Sequence, residues 1–178
     1  YRDYSVGIWK DISWNEFSSR VRELSNAMLS IGVEEQENMA VFSQNMPEVL
    51  MVDFAAYAIR AVTIPMYATS SEMQVKYIVS DASIRYIFVG EQEQYDIAFR
   101  VLKLGSSLEK LIIFDRNVQR NPEDNISIYL DDFRKGHDNR YEEEIERRTK
   151  AVQSQDLANI LYTSGTTGLS KGVMLTHE

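Results

Sequence analysis

Residues 163–172 hold three glycines, two serines, three threonines and one lysine. Glycine allows sharp turns and close backbone approach, free amides in such turns form an anion-binding nest, and hydroxyls with an ammonium add charge-assisted bonds to phosphate oxygens. The natural guest of that chemistry is a polyphosphate. Thr163, Ser164, Gly165, Thr166, Thr167, Gly168 and Lys171 are the candidate ligands, with Lys171 as the cation for the outer phosphates. A Walker A loop begun at Gly165 would need glycine at 170 and Ser or Thr at 172, whereas Ser170 and Gly172 stand there. The apolar runs 157–162 and 173–175 on either side oppose a flexible linker.

Such a loop needs a frame, and the upstream patterning supplies one. Ser13 with Glu16 reads as a capping box opening a helix that Gly32 stops; Trp14, Phe17, Val21, Leu24, Met28 and Ile31 form its apolar stripe. Residues 39–42 read as a short buried strand. Asn45 as cap and Pro47 in the first turn predict a second helix to about Ile59, apolar on nearly every side and therefore sandwiched between layers. Residues 62–64 form the next strand, ended by Pro65; Thr69 with Glu72 predicts the helix leading to a strand at 84–89. Ile97, Val101, Leu104 and Leu108 mark a third helical stripe before a strand at 111–114. The stretch 115–155 loosens and reads as peripheral, with a turn at 121–125 and a short strand at 126–130. A charged helix near 141–148 should pair Glu143 with Arg147 and Glu144 with Arg148 on a solvated face. A buried strand at 157–162 then feeds the loop. Strands separated by helix-length segments predict an α/β fold, a layered, largely parallel sheet with flanking helices.

The 178 residues suffice for the core of one domain. A formal charge of −8 opposes non-specific binding to a phosphate backbone, so nucleic acid is discounted as a partner. The absence of cysteine excludes disulfides, thiolate catalysis and Cys-ligated zinc, and it fits a reducing compartment, for which the cytoplasm is the expectation. No apolar run approaches the roughly 18 residues of a spanning helix, and the first residues do not open a signal peptide.

Residues 162–177 closely resemble the phosphate-loop signature of the adenylate-forming superfamily: AMP-forming acyl-CoA synthetases, luciferases and peptide-synthetase adenylation domains. Ser170 stands where that family commonly has proline. The stretches 12–14, 45–48 and 60–71 look like those of bacterial long-chain fatty acid–CoA ligases, while 67–69 differs from the Pro-x-Asp-Pro-like segment usual in peptide synthetases. The resemblance implies that a fatty acid is activated with ATP and Mg²⁺, releasing pyrophosphate, and is then passed from AMP to coenzyme A. The carboxylate is its own nucleophile in the first step, so no residue of this chain is assigned a catalytic or metal-ligating role. His177 is read as structural, at the start of a following helix. The resemblance further implies that residues 1–178 are part of a large N-terminal AMP-binding domain. Adenine and ribose motifs, a magnesium-binding glutamate, most of the acyl pocket and a mobile C-terminal domain would lie beyond Glu178, and the 178 residues alone should form no acyl-AMP. The alternative is a catalytically inert nucleotide-binding or interaction module of the same fold. An acyl substrate is compatible with peripheral membrane contact, although no strongly basic amphipathic helix supports it.

Overall fold

Strand and helix alternate as the two periodicities of the sequence require. The computed structural model describes residues 2–3, 7–135, 140–163 and 169–178. A short antiparallel ribbon of β1 (Arg2–Asp3) and β2 (Ile8–Trp9) precedes α1 (Trp14–Ser30), β3 (Asn38–Phe42), α2 (Pro47–Ala58), β4 (Val62–Met66), α3 (Glu72–Asp81), β5 (Tyr86–Val89), α4 (Gln92–Lys103) and β6 (Lys110–Ile113). Then follow β7 (Ile128–Tyr129), α5 (Leu130–Lys135), α6 (Glu142–Ala151), β8 (Leu157–Thr163) and β9 (Lys171–Thr176). Seven strands form one sheet in the order β7-β6-β5-β3-β4-β8-β9, parallel except where β9 returns antiparallel to β8. The expected layered, largely parallel α/β sheet is what forms.

Alternation along each strand divides the core in two. Met39, Val41, Tyr86, Phe88 and Ile112 join the cluster under α1, α2, α5 and α6. Ala40, Phe42, Ile87, Val89 and Leu111 join the one under α3 and α4. Burial on both faces is what a parallel sheet needs, and it explains the continuous apolar runs of β3, β5 and β6.

Helix ends follow one chemistry. After α1, Gly32 at φ +85° donates to the Leu29 carbonyl at 3.0 Å and Val33 to that of Met28 at 3.2 Å, a Schellman closure. Arg60 and Ser83 take the same left-handed position after α2 and α3, at φ 59° and 53°. For Arg60 the conformational cost is offset by ion pairs to Glu35 and Asp156.

Several starts differ from expectation. Ser13 accepts the Glu16 amide at 3.2 Å, but the Glu16 carboxylate turns to Arg20. Asn45 does not cap α2: proline drives the residue before it into extended backbone, so Met46 (φ −123°, ψ 152°) becomes the cap, without a side-chain bond. Thr69 is consumed by a turn in which the Ser70 amide reaches the Tyr67 carbonyl at 2.9 Å, and α3 is capped two residues later by the reciprocal pair Ser71 and Gln74. Pro65 lies inside β4, where the described ladder to β8 is limited to Thr63↔Asn159. Leu104 caps α4, exposed, and Leu108 is buried beyond it in the approach to β6.

The stretch 115–155 is not merely peripheral. Leu130, Phe133 and Ile145 enter the core, and Arg148 donates to the carbonyls of Val33 and Ile59 at 3.0 and 3.2 Å, bolting α6 to two helix ends. Glu144 does pair with Arg148, whereas Arg147 chooses Glu144 and Glu35 over Glu143. Nor is α2 covered all round. Leu50 and Phe54 are 56% and 52% exposed, and Phe54 belongs to a ladder of rings from Trp14 through Phe17 and Tyr57 to His177.

One buried carboxylate organises the turn before β7. Asp124 accepts the Tyr95 hydroxyl at 2.7 Å and the amides of Ile126 and Ser127 at 3.1 and 3.0 Å. Burial alone would raise its pKa, but the bonds from the Tyr95 hydroxyl and the amides of Ile126 and Ser127 win and hold it below the ordinary 3.8. Tyr95, buried against that charge, is pushed up to about 12. Asp124→Asn is expected to cost about 1–3 kcal/mol at neutral pH, from weakened bonds to buried donors. A depressed carboxylate stabilises the fold fully above its unfolded pKa and loses that contribution as pH falls through the folded value. The gap between wild type and variant in urea unfolding should therefore shrink by about pH 3.

Candidate phosphate-binding site

Three sets of contacts hold the β8–β9 hairpin. At its base the Gln36 side-chain amide imitates a strand, accepting the Leu157 amide at 2.8 Å and donating to the Leu157 carbonyl at 3.3 Å. Arg60 grips Asp156 at 2.8 Å beside it, and the His177 amide returns to the Asp156 carbonyl at 3.2 Å. Midway, Asn159 donates to Thr63 at 2.6 Å and accepts from Tyr57 at 2.8 Å, tying β8 to β4 and α2. At the tip, Tyr162 donates to Asp81 at 2.6 Å and Tyr77 donates to the Ser170 carbonyl at 3.1 Å. Burial, with the Asp81 charge, raises the Tyr162 pKa and keeps its hydroxyl a donor.

Thr163 and Lys171 are directly paired at the end of this ladder. Ser164, Gly165, Thr166, Thr167 and Gly168 lie outside the described residues. Of the seven candidates, the structure brings together Thr163 and Lys171. Lys171 is exposed, and no described residue forms an ion pair with it.

The hairpin end stands at the carboxyl ends of β3, β4 and β8. A cleft of about 540 Å³ opens there between Ser43, Gln44 and Asn45, the segment 65–69, and Leu161, Tyr162 and Thr163. A smaller one of about 160 Å³ shares Tyr162 and Thr163 and adds Ser70, Gln74, Ile78 and Ser170. Lys171 stands at the rim, in neither wall. From β3 the chain crosses to β4 on one side, then to β5 on the other. The end of β3 is therefore the switch point at which open α/β sheets take ligands. Gly90 lets that crevice close: a Cβ there would lie 2.5 Å from Ser43 Oγ and 2.6 Å from Gln44 Oε1. Gln44 Oε1 is buried without a hydrogen-bond partner among the described residues.

Sequence reasoning missed Ser43 and Gln44, whose faint signal is a polar pair directly after an apolar strand. It also missed Tyr77 and Asp81, which lie on a helix 80 or more residues upstream and give no local signal. The expectation that β8 is a buried strand needs correction. Only Ala158 is fully buried, Leu161 is 38% exposed, and all of β9 is exposed because that strand forms the sheet edge. Among the described residues no group of three or more His, Cys, Asp or Glu could hold a metal, and no helix is long and apolar enough to cross a membrane.

A family model described as AMP-binding enzyme matches residues 2–178. The chain is 31% identical over 178 residues to a long-chain-fatty-acid–CoA ligase of Mycobacterium bovis, covering all of this chain and 28% of that protein. It is 29% identical to fatty acyl-CoA synthetase A of Dictyostelium discoideum, over 98% of this chain and 26% of that one. Its fold matches a crystal structure of an anthranilate–CoA ligase in complex with anthranoyl-AMP, at a TM-score of 0.79 and 18% identity, over 94% of this chain and 30% of that one. A long-chain-fatty-acid–CoA ligase from Archaeoglobus fulgidus gives a TM-score of 0.71 at 21% identity, over 96% of this chain and 31% of that one. The chain thus spans less than a third of the length of each of these proteins.

Proposed function

The chain belongs to the AMP-binding enzyme family, and from that premise we propose that it is the phosphate-holding portion of an ATP-dependent long-chain fatty acid–CoA ligase. The observation that carries the reading is the pairing of Thr163 with Lys171, which has no ion pair among the described residues, at the carboxyl edge of a parallel sheet beside a cleft of about 540 Å³. That volume falls in the range of small-molecule sites.

In the proposed reaction a fatty acid carboxylate oxygen attacks the α-phosphorus of ATP. The acyl–phosphate bond forms as the bond from the α-phosphorus to the bridging oxygen breaks, and pyrophosphate leaves with the charge. The thiol of coenzyme A then attacks the acyl carbon, AMP leaves, and the thiol proton passes to solvent. The first step needs no general base from the protein, only alignment and stabilisation of the leaving group. Lys171 and the hydroxyl of Thr163 serve that stabilisation, together with Ser164, Thr166 and Thr167, while Gly165 and Gly168 let the backbone come close. Mg²⁺ would enter with ATP; among the described residues no group of three or more His, Cys, Asp or Glu could hold it. Residues 1–178 are assigned to the N-terminal AMP-binding domain, and the cytoplasm is the proposed location.

The test extends the chain to the length of its relatives and measures fatty-acid-dependent ATP–pyrophosphate exchange. Exchange is expected, faster with palmitate than with acetate, with AMP released only once coenzyme A is added, and no exchange from the 178 residues alone. Hydrolysis to ADP would overturn the reading. Pyrophosphate binding without exchange at full length would instead favour an inert module of the same fold.

A further inference from the structure

We propose that Tyr77 is a positioning residue for Lys171, because α3 holds the backbone on both sides of that lysine through Tyr77 and Tyr162. The proposal rests on the reading of Lys171 as a phosphate ligand. Tyr77 donates to the carbonyl of Ser170, the residue before Lys171, at 3.1 Å. On the other side, Gly172 lies opposite Tyr162 in the ladder. A Cβ at Gly172 would come within 2.8 Å of Ile160 Cγ2 and 3.3 Å of Tyr162 Cζ, so the Tyr162 side chain lies against bare glycine backbone. That side chain is fixed in turn by its 2.6 Å bond to Asp81, the last residue of α3, and by an edge-to-face contact with the Tyr77 ring at 6.3 Å.

The arrangement answers a mechanical problem. Lysine carries its charge on a flexible four-carbon stem, so the ammonium is aimed only as well as its Cα is held. β9 is an edge strand paired to β8 alone, and all its residues are exposed. Among the described residues no strand lies on its outer side. α3, by contrast, is seated by the buried Val75, Ile78 and Val79 and started by the Ser71–Gln74 box. Two tyrosines transfer that rigidity to the end of the hairpin. Gln74 and Ile78 of the same helix also wall the smaller cleft, so one element shapes the cavity and sets the lysine at its rim.

Calorimetric titration of the 178-residue chain with inorganic pyrophosphate tests this. Tyr77→Phe keeps the ring and removes one hydrogen bond, and is expected to weaken binding about three- to tenfold. If Tyr77 acts through Lys171, Tyr77→Phe added to Lys171→Ala should cause no further loss, a non-additivity that general loosening of the fold would not produce. Asp81→Asn, which weakens the Tyr162 bond, should show the same non-additivity and serves if Tyr77→Phe unfolds the chain. Full affinity in Tyr77→Phe, or an additive loss in the double variant, overturns the positioning role. Lys171→Ala without effect, or no pyrophosphate binding by the unaltered chain, overturns the phosphate reading itself and the positioning role with it.

Discussion

Lys171→Ala is expected to lower the rate of adenylate formation in the full-length protein by a factor on the order of 10² to 10³, the range found for a single preorganised group facing developing charge. The loss should fall on the chemical step as well as on ATP binding, because the charge on the departing pyrophosphate grows as its bond to the α-phosphorus breaks. Folding should be untouched, since Lys171 is exposed and forms no ion pair with any described residue. Parallel measurements of exchange rate and thermal midpoint separate the two. An unchanged exchange rate would remove Lys171 from the site. Lys171→Arg should recover only part of the rate, because a planar guanidinium cannot occupy the place of a compact ammonium.

The legibility of this site in sequence follows the range of the forces involved. Gly32 as a helix stop, and the middles of the two stripes at Leu24 and Met28 of α1 and Ile97 and Val101 of α4, are local consequences of backbone conformation and burial and hold in the structure, whereas Trp14 is 84% exposed, Leu104 is an exposed cap and Leu108 lies past the helix. Caps were legible to within two residues. Thr69 and Ser71 compete for one helix start, and a turn closed between Tyr67 and Ser70 decides between them. Side-chain partners were less legible. Glu143 and Glu144 both stand within reach of Arg147 along the helix, but Arg147 takes Glu144 with Glu35, which arrives from a loop 112 residues away in sequence. The anchors of the hairpin lay beyond reading for the same reason: Gln36, Tyr57 and Tyr77 meet β8 and its loop only once the sheet has formed.

Phe88→Ala is expected to destabilise the chain by about 3–5 kcal/mol, the usual cost of emptying a large aromatic site in a core. Phe88 is fully buried in β5, near the middle of the sheet, with ring centroids of Phe114 and Phe133 at 6.1 and 6.4 Å. Those partners come from the residue directly after β6 and from α5, so the cavity would undercut the contact between sheet and helix layer. Against a total stability of about 5–15 kcal/mol for an ordinary domain, the variant stands near the unfolding threshold. Urea titration should show a much lower midpoint with an unchanged slope. A loss under about 1 kcal/mol would mean that the site collapses around the gap. Phe88→Leu, which retains most of the volume, should cost less than about 1.5 kcal/mol.

The junction between β4 and β8 has a consequence for the order of assembly. Strands β3 to β6 are linked by single-helix crossovers, whereas Asn159 must find Thr63 across 96 residues of chain. Contacts so distant in sequence form late, after their loop entropy has been overcome. The segment proposed to grip the nucleotide is therefore the last to join the sheet and the first to leave it. A ligand that binds only the docked hairpin pulls this equilibrium toward the assembled form, by about 2.7 kcal/mol at a hundredfold excess over its Kd. ATP would then act as the final folding partner of the strand that holds it.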